Sequence, residues 1–161
     1  MSEFSIPGVR LGVAQAGIKY EGRDDLTLIE IAEGSSTAAV FTLNAFRAAP
    51  VVVAERNNVT QDARYILINS GNANAGTGKP GMDTCEASCA AVGQLTGNAP
   101  DRVLPFSTGV IGELLQVDKI EDALPAAIAD LSATNWVRAA RAIMTTDTRL
   151  KLRAEKIEVN G

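Results

Sequence analysis

The chain of 161 residues contains no histidine, only two cysteines and 4% aromatic residues. Without histidine it cannot assemble a Ser-His-Asp or Cys-His nucleophile from its own residues. A histidine-ligated zinc site and a histidine-based pH switch are excluded for the same reason, and two cysteines cannot supply the four thiolates of a structural zinc site. The remaining composition, with 46% hydrophobic residues, permits a sizeable core. We therefore expect one domain spanning 1–161.

Clusters of positive charge and long apolar runs are also missing. The net charge is −4, and the lysines and arginines are scattered along the chain. Binding to nucleic acid or to an anionic membrane usually needs a basic stripe, so neither partner is expected. No run approaches the roughly 18 apolar residues of a transmembrane helix, and residues 1–4 do not begin a signal peptide. With two closely spaced cysteines, we expect a reducing, cytoplasmic location.

Hydrophobic patterning predicts several strands and helices. Short apolar or alternating segments predict strands at 8–14, 26–32, 38–42, 65–69, 102–106 and 151–159, of which the second and third would form a hairpin. Helical periodicity predicts helices at 83–97, 120–131 and 135–144, while 50–56 fits either a strand or a helix. Asp83 is expected as an N-cap, Gly97 after a helix end, and Pro125 in a first turn. The order of elements predicts an α/β or α+β fold with a mixed sheet.

A polar, glycine-rich segment, residues 70–81, follows the strand predicted at 65–69. It fails the P-loop pattern, because a proline follows Lys79 and no glycine stands at the required earlier position. Three asparagines have side chains that can satisfy backbone groups in such a loop: Asn69, Asn72 and Asn74. The segment is therefore interpreted either as a structural loop or as the wall of a small-molecule pocket.

The two cysteines, Cys85 and Cys89, are four residues apart on the helix predicted at 83–97, so they share one face. A redox motif would need the spacing C-x-x-C. We interpret both as small buried residues on an apolar stripe. The other members expected on this stripe are Ala87, Ala90, Ala91 and Leu95.

The segment Ser107-Thr108-Gly109 is a candidate binding element, because it follows the strand predicted at 102–106. A turn with glycine there can aim backbone N–H groups at one point, beside a hydroxyl, as in an oxyanion hole. Turns of this composition are also common without any function. Both interpretations stand at this point.

A second polar segment, 144–149, follows the last predicted helix and includes Thr145, Thr146 and Arg149. It is either a polar helix end or a pocket wall that binds an amino-acid-like ligand, with Arg149 as a candidate partner for a carboxylate. Trp136, the only tryptophan, is expected to anchor the start of that helix in the core.

Considered together, these segments resemble the N-terminal (α) portion of the ornithine acetyltransferase family, the glutamate N-acetyltransferases of arginine biosynthesis. The resemblance extends from about residue 8 to the end of the sequence. Two runs are specific in combination, Asn-Ser-Gly-Asn-Ala-Asn at 69–74 and Phe-Ser-Thr-Gly-Val-Ile-Gly at 106–112. Further matching runs lie in order along the chain at 8–12, 16–19, 40–44, 47–51, 81–83 and 142–148.

The resemblance implies an enzyme made as one precursor that cleaves itself at an Ala-Thr bond. The new N-terminal threonine of the β chain would carry the acetyl group from N-acetylornithine to glutamate in a ping-pong cycle. No cofactor is implied, although some members also accept acetyl-CoA as donor. The implied fold is an N-terminal-nucleophile-like α/β sandwich, and the implied assembly is α2β2, with this chain as the α part.

By position, Thr108 and Gly109 match the oxyanion-hole residues of that family. Thr145 matches a substrate-binding threonine, with Thr146 as the alternative if the register differs by one. Leu150 departs from the proline common at that position in the family. The scissile motif and a substrate-binding lysine, expected further downstream in the family, do not occur in this sequence, so the chain alone is expected to be inactive.

Two other functional classes remain open at this level. The chain could be a non-catalytic domain that binds a small molecule or another protein on the same scaffold. It could also belong to a different N-terminal-nucleophile acyltransferase or hydrolase.

Overall fold

The computed structural model describes residues 5–60 and 62–158, and within them four strands form one sheet beside four α-helices. The strands are β1 (Val9–Ala14), β2 (Leu26–Ile31), β3 (Tyr65–Asn72) and β4 (Val103–Val110). The helices are α1 (Ala49–Asn57), α2 (Gly78–Thr96), α3 (Val117–Ala129) and α4 (Trp136–Ala142). Residues 1–4, which were expected not to begin a signal peptide, lie outside the described residues. The prediction of a mixed α/β fold is confirmed.

The strands lie in the sheet in chain order, β1-β2-β3-β4. β1 pairs antiparallel with β2, and β2 pairs antiparallel with β3. β3 and β4 are parallel, because α2 carries the chain back between them. The end of β1, the start of β2 and the ends of β3 and β4 therefore lie at the same edge of the sheet.

The core lies between one face of the sheet and a layer of helices. From the sheet, alternate residues such as Leu28, Leu67 and Val103 point into it, as the period of two requires. From the helices, it receives Val53, Cys85, Cys89, Val92, Ile120 and Leu124. Both cysteines are buried as expected, and the neighbouring Cys89 together with burial raises the pKa of the Cys85 thiol.

Of the other members predicted for the stripe on α2, Ala91 packs against the core and Ala87 is half-buried, but the remaining two are wrong. Ala90 and Leu95 are exposed, whereas Ser88, Val92 and Gly93 are buried beside the cysteines. The helix begins five residues before the expected N-cap Asp83, so that residue lies inside it. Gly97 ends the helix with φ +69°, as predicted.

The strand predicted at 38–42 does not form. The segment between β2 and α1 has no regular structure, and Val40 and Leu43 are 98% and 100% exposed. A strand needs a hydrogen-bonded neighbour, and no described strand lies beside this segment. The adjacent ambiguous stretch is helical, since Pro50 suits the first turn of α1.

Three further features differ from expectation: the length of a loop, the position of a proline and the presence of a last strand. The loop predicted at 70–81 is short, because β3 continues to Asn72 and α2 begins at Gly78. Pro125 lies in the interior of α3, on its exposed side, where water can bond the carbonyl that a proline leaves unpaired. No strand occurs at 151–158, and the last residue of that predicted strand lies outside the described residues.

Trp136 begins α4 as predicted, but the expectation that it anchors the helix in the core is wrong, because its side chain is half-buried and lies outside the core cluster. Its indole N–H donates to the carbonyl of Ala133 at 3.0 Å. α4 packs against β1 and β2. Among the residues that the structure describes, no helix combines the length and the apolar character needed to cross a membrane.

β1 and α3 come into direct backbone contact at Gly12. A Cβ atom there would lie 1.9 Å from the carbonyl oxygen of Ala127. We expect Gly12→Ala to lower the free energy of unfolding by roughly 3 kcal/mol, because α3 would have to move off the sheet. Urea denaturation of the protein measures this loss.

Gly34→Ala is the matched control. Gly34 has φ +81° but nothing within 4 Å of a Cβ position, so only a backbone cost of about 1 kcal/mol is expected. A Gly12→Ala loss no larger than that of Gly34→Ala would contradict the packing argument.

Candidate functional site

A cavity of about 310 Å³ opens at the sheet edge where β3 and β4 end. This volume suits a small metabolite. Its walls come from four separate parts of the chain: the β1–β2 loop, the end of β3, the end of β4, and the segment after α4. The lining residues are Lys19, Tyr20, Arg23, Asp25, Ser70, Gly71, Thr108, Gly109, Val110, Met144, Thr145 and Thr146.

The four residues predicted for the site all line this one cavity. Thr108 and Gly109 belong to the last residues of β4, and Thr145 and Thr146 follow α4. Thr108 is half-buried, and its hydroxyl makes no hydrogen bond to the described residues, so it is available to a ligand. Arg149, the candidate carboxylate partner, is exposed and does not line the cavity. Their roles as oxyanion-hole and substrate-binding residues stay predictions.

The segment around Thr108 is a strand and not the turn that its composition indicated. Gly109 pairs with Gly71 across the parallel strands, and both have positive φ, +139° and +101°. A Cβ on Gly109 would lie 2.3 Å from the carbonyl carbon of Gly71. Two glycines therefore allow the backbones to approach closely, and the register shifts at Asn72 immediately afterwards.

The end of β3 and the chain that follows it are held by the three predicted asparagines, all of them buried. The Asn69 amide donates to the carbonyl of Asn72 at 2.8 Å. The Asn72 side chain donates to the carbonyl of Glu113 at 3.0 Å and accepts from the N–H of Asn74 at 2.7 Å. Asn74, with φ +45°, donates to the carbonyl of Gly81 at 2.9 Å. The structural interpretation of these asparagines is confirmed, and the segment also contributes Ser70 and Gly71 to the cavity.

Two hydrogen bonds fix the end of α4 and the segment after it to the opposite wall. The Ser70 hydroxyl donates to the carbonyl of Ala142 at 2.6 Å, and Arg23 Nη2 donates to the carbonyl of Met144 at 2.6 Å. These bonds also satisfy carbonyls that the end of a helix leaves without partners. They place Thr145 and Thr146 next to the β1–β2 loop.

Asp25 shapes the β1–β2 loop. Its side chain is 3% exposed, and its two carboxylate oxygens accept the N–H groups of Ala16 and Ile18, each at 2.7 Å. Lys119 Nζ donates to the carbonyl of Gly17 at 2.6 Å. These bonds hold a segment without regular structure above the cavity.

The sequence patterns did not predict the charged residues of the cavity as part of the site. Lys19, Arg23 and Asp25 lie in an irregular loop that patterning assigned to no element, although the run 16–19 was part of the family resemblance. Lys19 Nζ lies 5.8 Å from the centroid of the Tyr20 ring, a cation–π distance. The cavity thus combines two cations, free hydroxyls and a glycine-rich strand end, which suits a small molecule carrying a carboxylate and a carbonyl group.

Comparison with known proteins agrees with the resemblance. A sequence model of the ArgJ family matches residues 10–161. The arginine biosynthesis bifunctional protein ArgJ of Methylococcus capsulatus is 60% identical over 156 residues, which is 97% of this chain and 38% of that protein. The chain therefore spans little more than a third of the length of this relative.

Two solved structures share the fold. The ornithine acetyltransferase of Mycobacterium tuberculosis, complexed with ornithine, superposes with a TM-score of 0.79 at 35% identity, covering 89% of this chain and 78% of that one. The arginine biosynthesis bifunctional protein of Bacillus halodurans superposes with a TM-score of 0.75 at 31% identity, covering 92% and 80%. The predicted N-terminal-nucleophile-like α/β fold is confirmed by this similarity.

The close approach of β3 and β4 generates a prediction for the site. Gly109→Ala places a methyl group against the Gly71 peptide, so the two strand ends must separate. We expect faster amide hydrogen exchange at 71–73 and 109–110, and a loss of stability of about 1–3 kcal/mol. Hydrogen exchange followed by mass spectrometry locates the change.

The control is Gly112→Ala, two residues beyond β4. Gly112 has φ +84°, but a Cβ there meets nothing within 4 Å. It should lower stability through backbone strain alone, without faster exchange at 71–73. Equal exchange at 71–73 in the two variants would contradict the assigned contact.

Proposed function

The chain belongs to the ArgJ family, and we propose that it is the α part of a glutamate N-acetyltransferase that takes its acetyl group from N-acetylornithine. The observation that carries this proposal is the cavity, in which Thr108 and Gly109 lie together with Thr145 and Thr146. Acyl transfer needs hydrogen-bond donors aimed at a carbonyl oxygen beside a pocket for the remainder of the substrate. These residues supply both.

The proposed reaction proceeds through an ester on the N-terminal threonine of a partner β chain. The threonine oxygen attacks the acetyl carbonyl carbon of N-acetylornithine, and its proton passes to the α-amine of the same residue. The C–N bond then breaks, ornithine leaves with the proton on its amine, and an acetyl-threonine ester remains. A nucleophile that uses its own amine as base needs no histidine, and this chain has none.

The second half-reaction regenerates the threonine. The amine of glutamate attacks the ester carbonyl carbon, the C–O bond breaks, and the proton returns to the threonine oxygen as N-acetylglutamate forms. The acetyl group passes directly between substrates, so the cycle requires no cofactor. Acetyl-CoA is an alternative donor for the same ester.

The role of this chain in both half-reactions is to stabilise negative charge on the carbonyl oxygen. Each tetrahedral intermediate places a full charge on that atom, and donors fixed in advance lower its energy most. We assign this role to the Thr108 hydroxyl and the adjacent N–H of Gly109. Thr145 and Thr146, on the opposite side of the cavity, are assigned to substrate binding.

The proposed partner, the β chain of the same precursor, fits the uncovered face of the sheet. Ile66 and Ile68 alternate with core residues of β3 and are half-buried, and Phe106 of β4 is 46% exposed. A second layer on this face would complete a sandwich and bury these side chains. We propose an α2β2 assembly in the cytoplasm.

The first test concerns Thr108 in the complete enzyme. Thr108→Ala should lower kcat by about 10²–10³-fold, since one oxyanion donor is lost. Thr108→Ser keeps the hydroxyl and should retain most of the activity. Steady-state kinetics with N-acetylornithine and glutamate measure both variants. An unchanged kcat for Thr108→Ala would remove this residue from the oxyanion hole.

The second test concerns the proposal that the nucleophile and the oxyanion hole lie on different chains. Because the proposed nucleophile belongs to the β chain, this chain purified alone should transfer no acetyl group from N-acetylornithine to glutamate. Mass spectrometry of the active complex should detect a partner chain that begins with threonine and gains 42 Da (about one acetyl group) on incubation with donor alone. Turnover by this chain without a partner would contradict the proposal.

A further inference from the structure

The β1–β2 loop, residues 15–25, is held above the cavity by contacts from three directions. Asp25 binds its first half through the N–H groups of Ala16 and Ile18. Lys119 of α3 binds the carbonyl of Gly17, and Arg23 bonds to the segment after α4. A loop without regular structure is usually mobile, but the bonds within this loop, together with those to α3 and to the segment after α4, indicate a defined position.

The loop brings two cations to the cavity, Lys19 and Arg23. Neither forms a salt bridge with any carboxylate of the described residues. Arg23 uses Nη2 for the carbonyl of Met144, which leaves its other N–H groups for a ligand. The Lys19 ammonium lies 5.8 Å from the centroid of the Tyr20 ring, and it makes no hydrogen bond within the part of the chain that the structure describes.

The single carboxylate in the lining does not neutralise these cations by direct pairing. Both oxygens of Asp25 accept backbone N–H groups, at 2.7 Å each, on the buried side of the loop. The next acidic residue along the opposite wall, Asp147, pairs with Lys151, which holds the pKa of that carboxyl below its ordinary value. The cavity therefore presents unpaired positive charge.

Lys19 also lies beside the proposed oxyanion hole. A Cβ built on Gly71 would lie 2.9 Å from the Cβ of Lys19, and Gly71 is the partner of Gly109 across the strands. The cations and the Thr108–Gly109 pair thus border one small space. A single amino-acid substrate could therefore place a carboxylate at the two cations while its acetyl carbonyl lies at the Thr108–Gly109 pair.

We propose that Lys19 and Arg23 form a binding site for the α-carboxylate that glutamate and N-acetylornithine share, and that Asp25 is its positioning residue. The inference rests on the proposed function. The two substrates differ in their side chains but occupy the same pocket in turn, so a fixed cationic site suits the one anionic group they have in common. Asp25 acts only through the loop, by holding Lys19 in place.

The test uses the complete enzyme and compares glutamate with its α-amide. Lys19→Met and Arg23→Met should each raise KM for glutamate about ten- to hundredfold with a smaller change in kcat, since a charged hydrogen bond is lost. KM for the α-amide should change much less, because that substrate lacks the carboxylate. Lys19→Arg should restore a low KM for glutamate. Lys79→Met, which removes an exposed lysine paired with Asp83 away from the cavity, is the control and should leave both KM values unchanged.

The positioning role of Asp25 has its own readout. Asp25→Asn should raise KM for glutamate, because an amide can accept only through its one oxygen and releases part of the loop. Combined with Lys19→Met, it should add little further increase, since both changes remove the same contact. If the increases in KM for glutamate from the two substitutions were fully additive, Asp25 would not act through Lys19, and its assignment as a positioning residue would be wrong.

The outcomes separate the two proposals. An unaltered enzyme that transfers no acetyl group contradicts the proposed function. An unaltered enzyme that transfers acetyl but uses glutamate and its α-amide equally well contradicts the carboxylate site. Unchanged KM in both Lys19→Met and Arg23→Met contradicts it as well. If either variant fails to fold, the substrate comparison in the unaltered enzyme decides by itself.

Discussion

The backbones of β3 and β4 approach each other at Gly71 and Gly109 more closely than any side chain would permit. This contact sets where the two parallel strands end, and it places Thr108 at the edge of the sheet. The register shift that follows at Asn72 turns the chain into the asparagine-supported segment. The cavity exists because two strands end together without side chains between them.

The remaining walls depend on polar bonds between segments distant in the sequence. Ser70 binds the carbonyl of Ala142, and Arg23 binds that of Met144, so the end of α4 is fixed to both the sheet and the β1–β2 loop. Each carboxylate oxygen of Asp25 accepts an N–H group of the loop itself. The buried carboxylate thus positions the loop, while Arg23 both supports the end of α4 and keeps its other N–H groups for a ligand.

Most elements of the fold could be predicted from local patterning. β1, β2 and the first part of β3 follow from short apolar segments, whereas the stretch that forms α1 was too short for its pattern to distinguish a helix from a strand. The segment at 38–42 has the composition of a strand, but a strand requires a partner, and composition carries no information about neighbours. The opposite case is Ser107-Thr108-Gly109, whose composition favours a turn. These residues continue β4 because β3 is present as a neighbouring strand, and pairing with it outweighs the turn tendency.

The sequence by itself determined which chemistry is excluded, through the absence of histidine, and which residues carry the family resemblance, including Thr108, Gly109 and Thr145. It also indicated the structural role of the asparagines after β3. Only the tertiary structure decided that these residues share one cavity, and that Lys19 and Arg23, not Arg149, supply its positive charge. The reason is physical: the cavity is formed by segments more than a hundred residues apart, and hydrogen bonds between them exist only after the sheet has brought its strand ends to one edge.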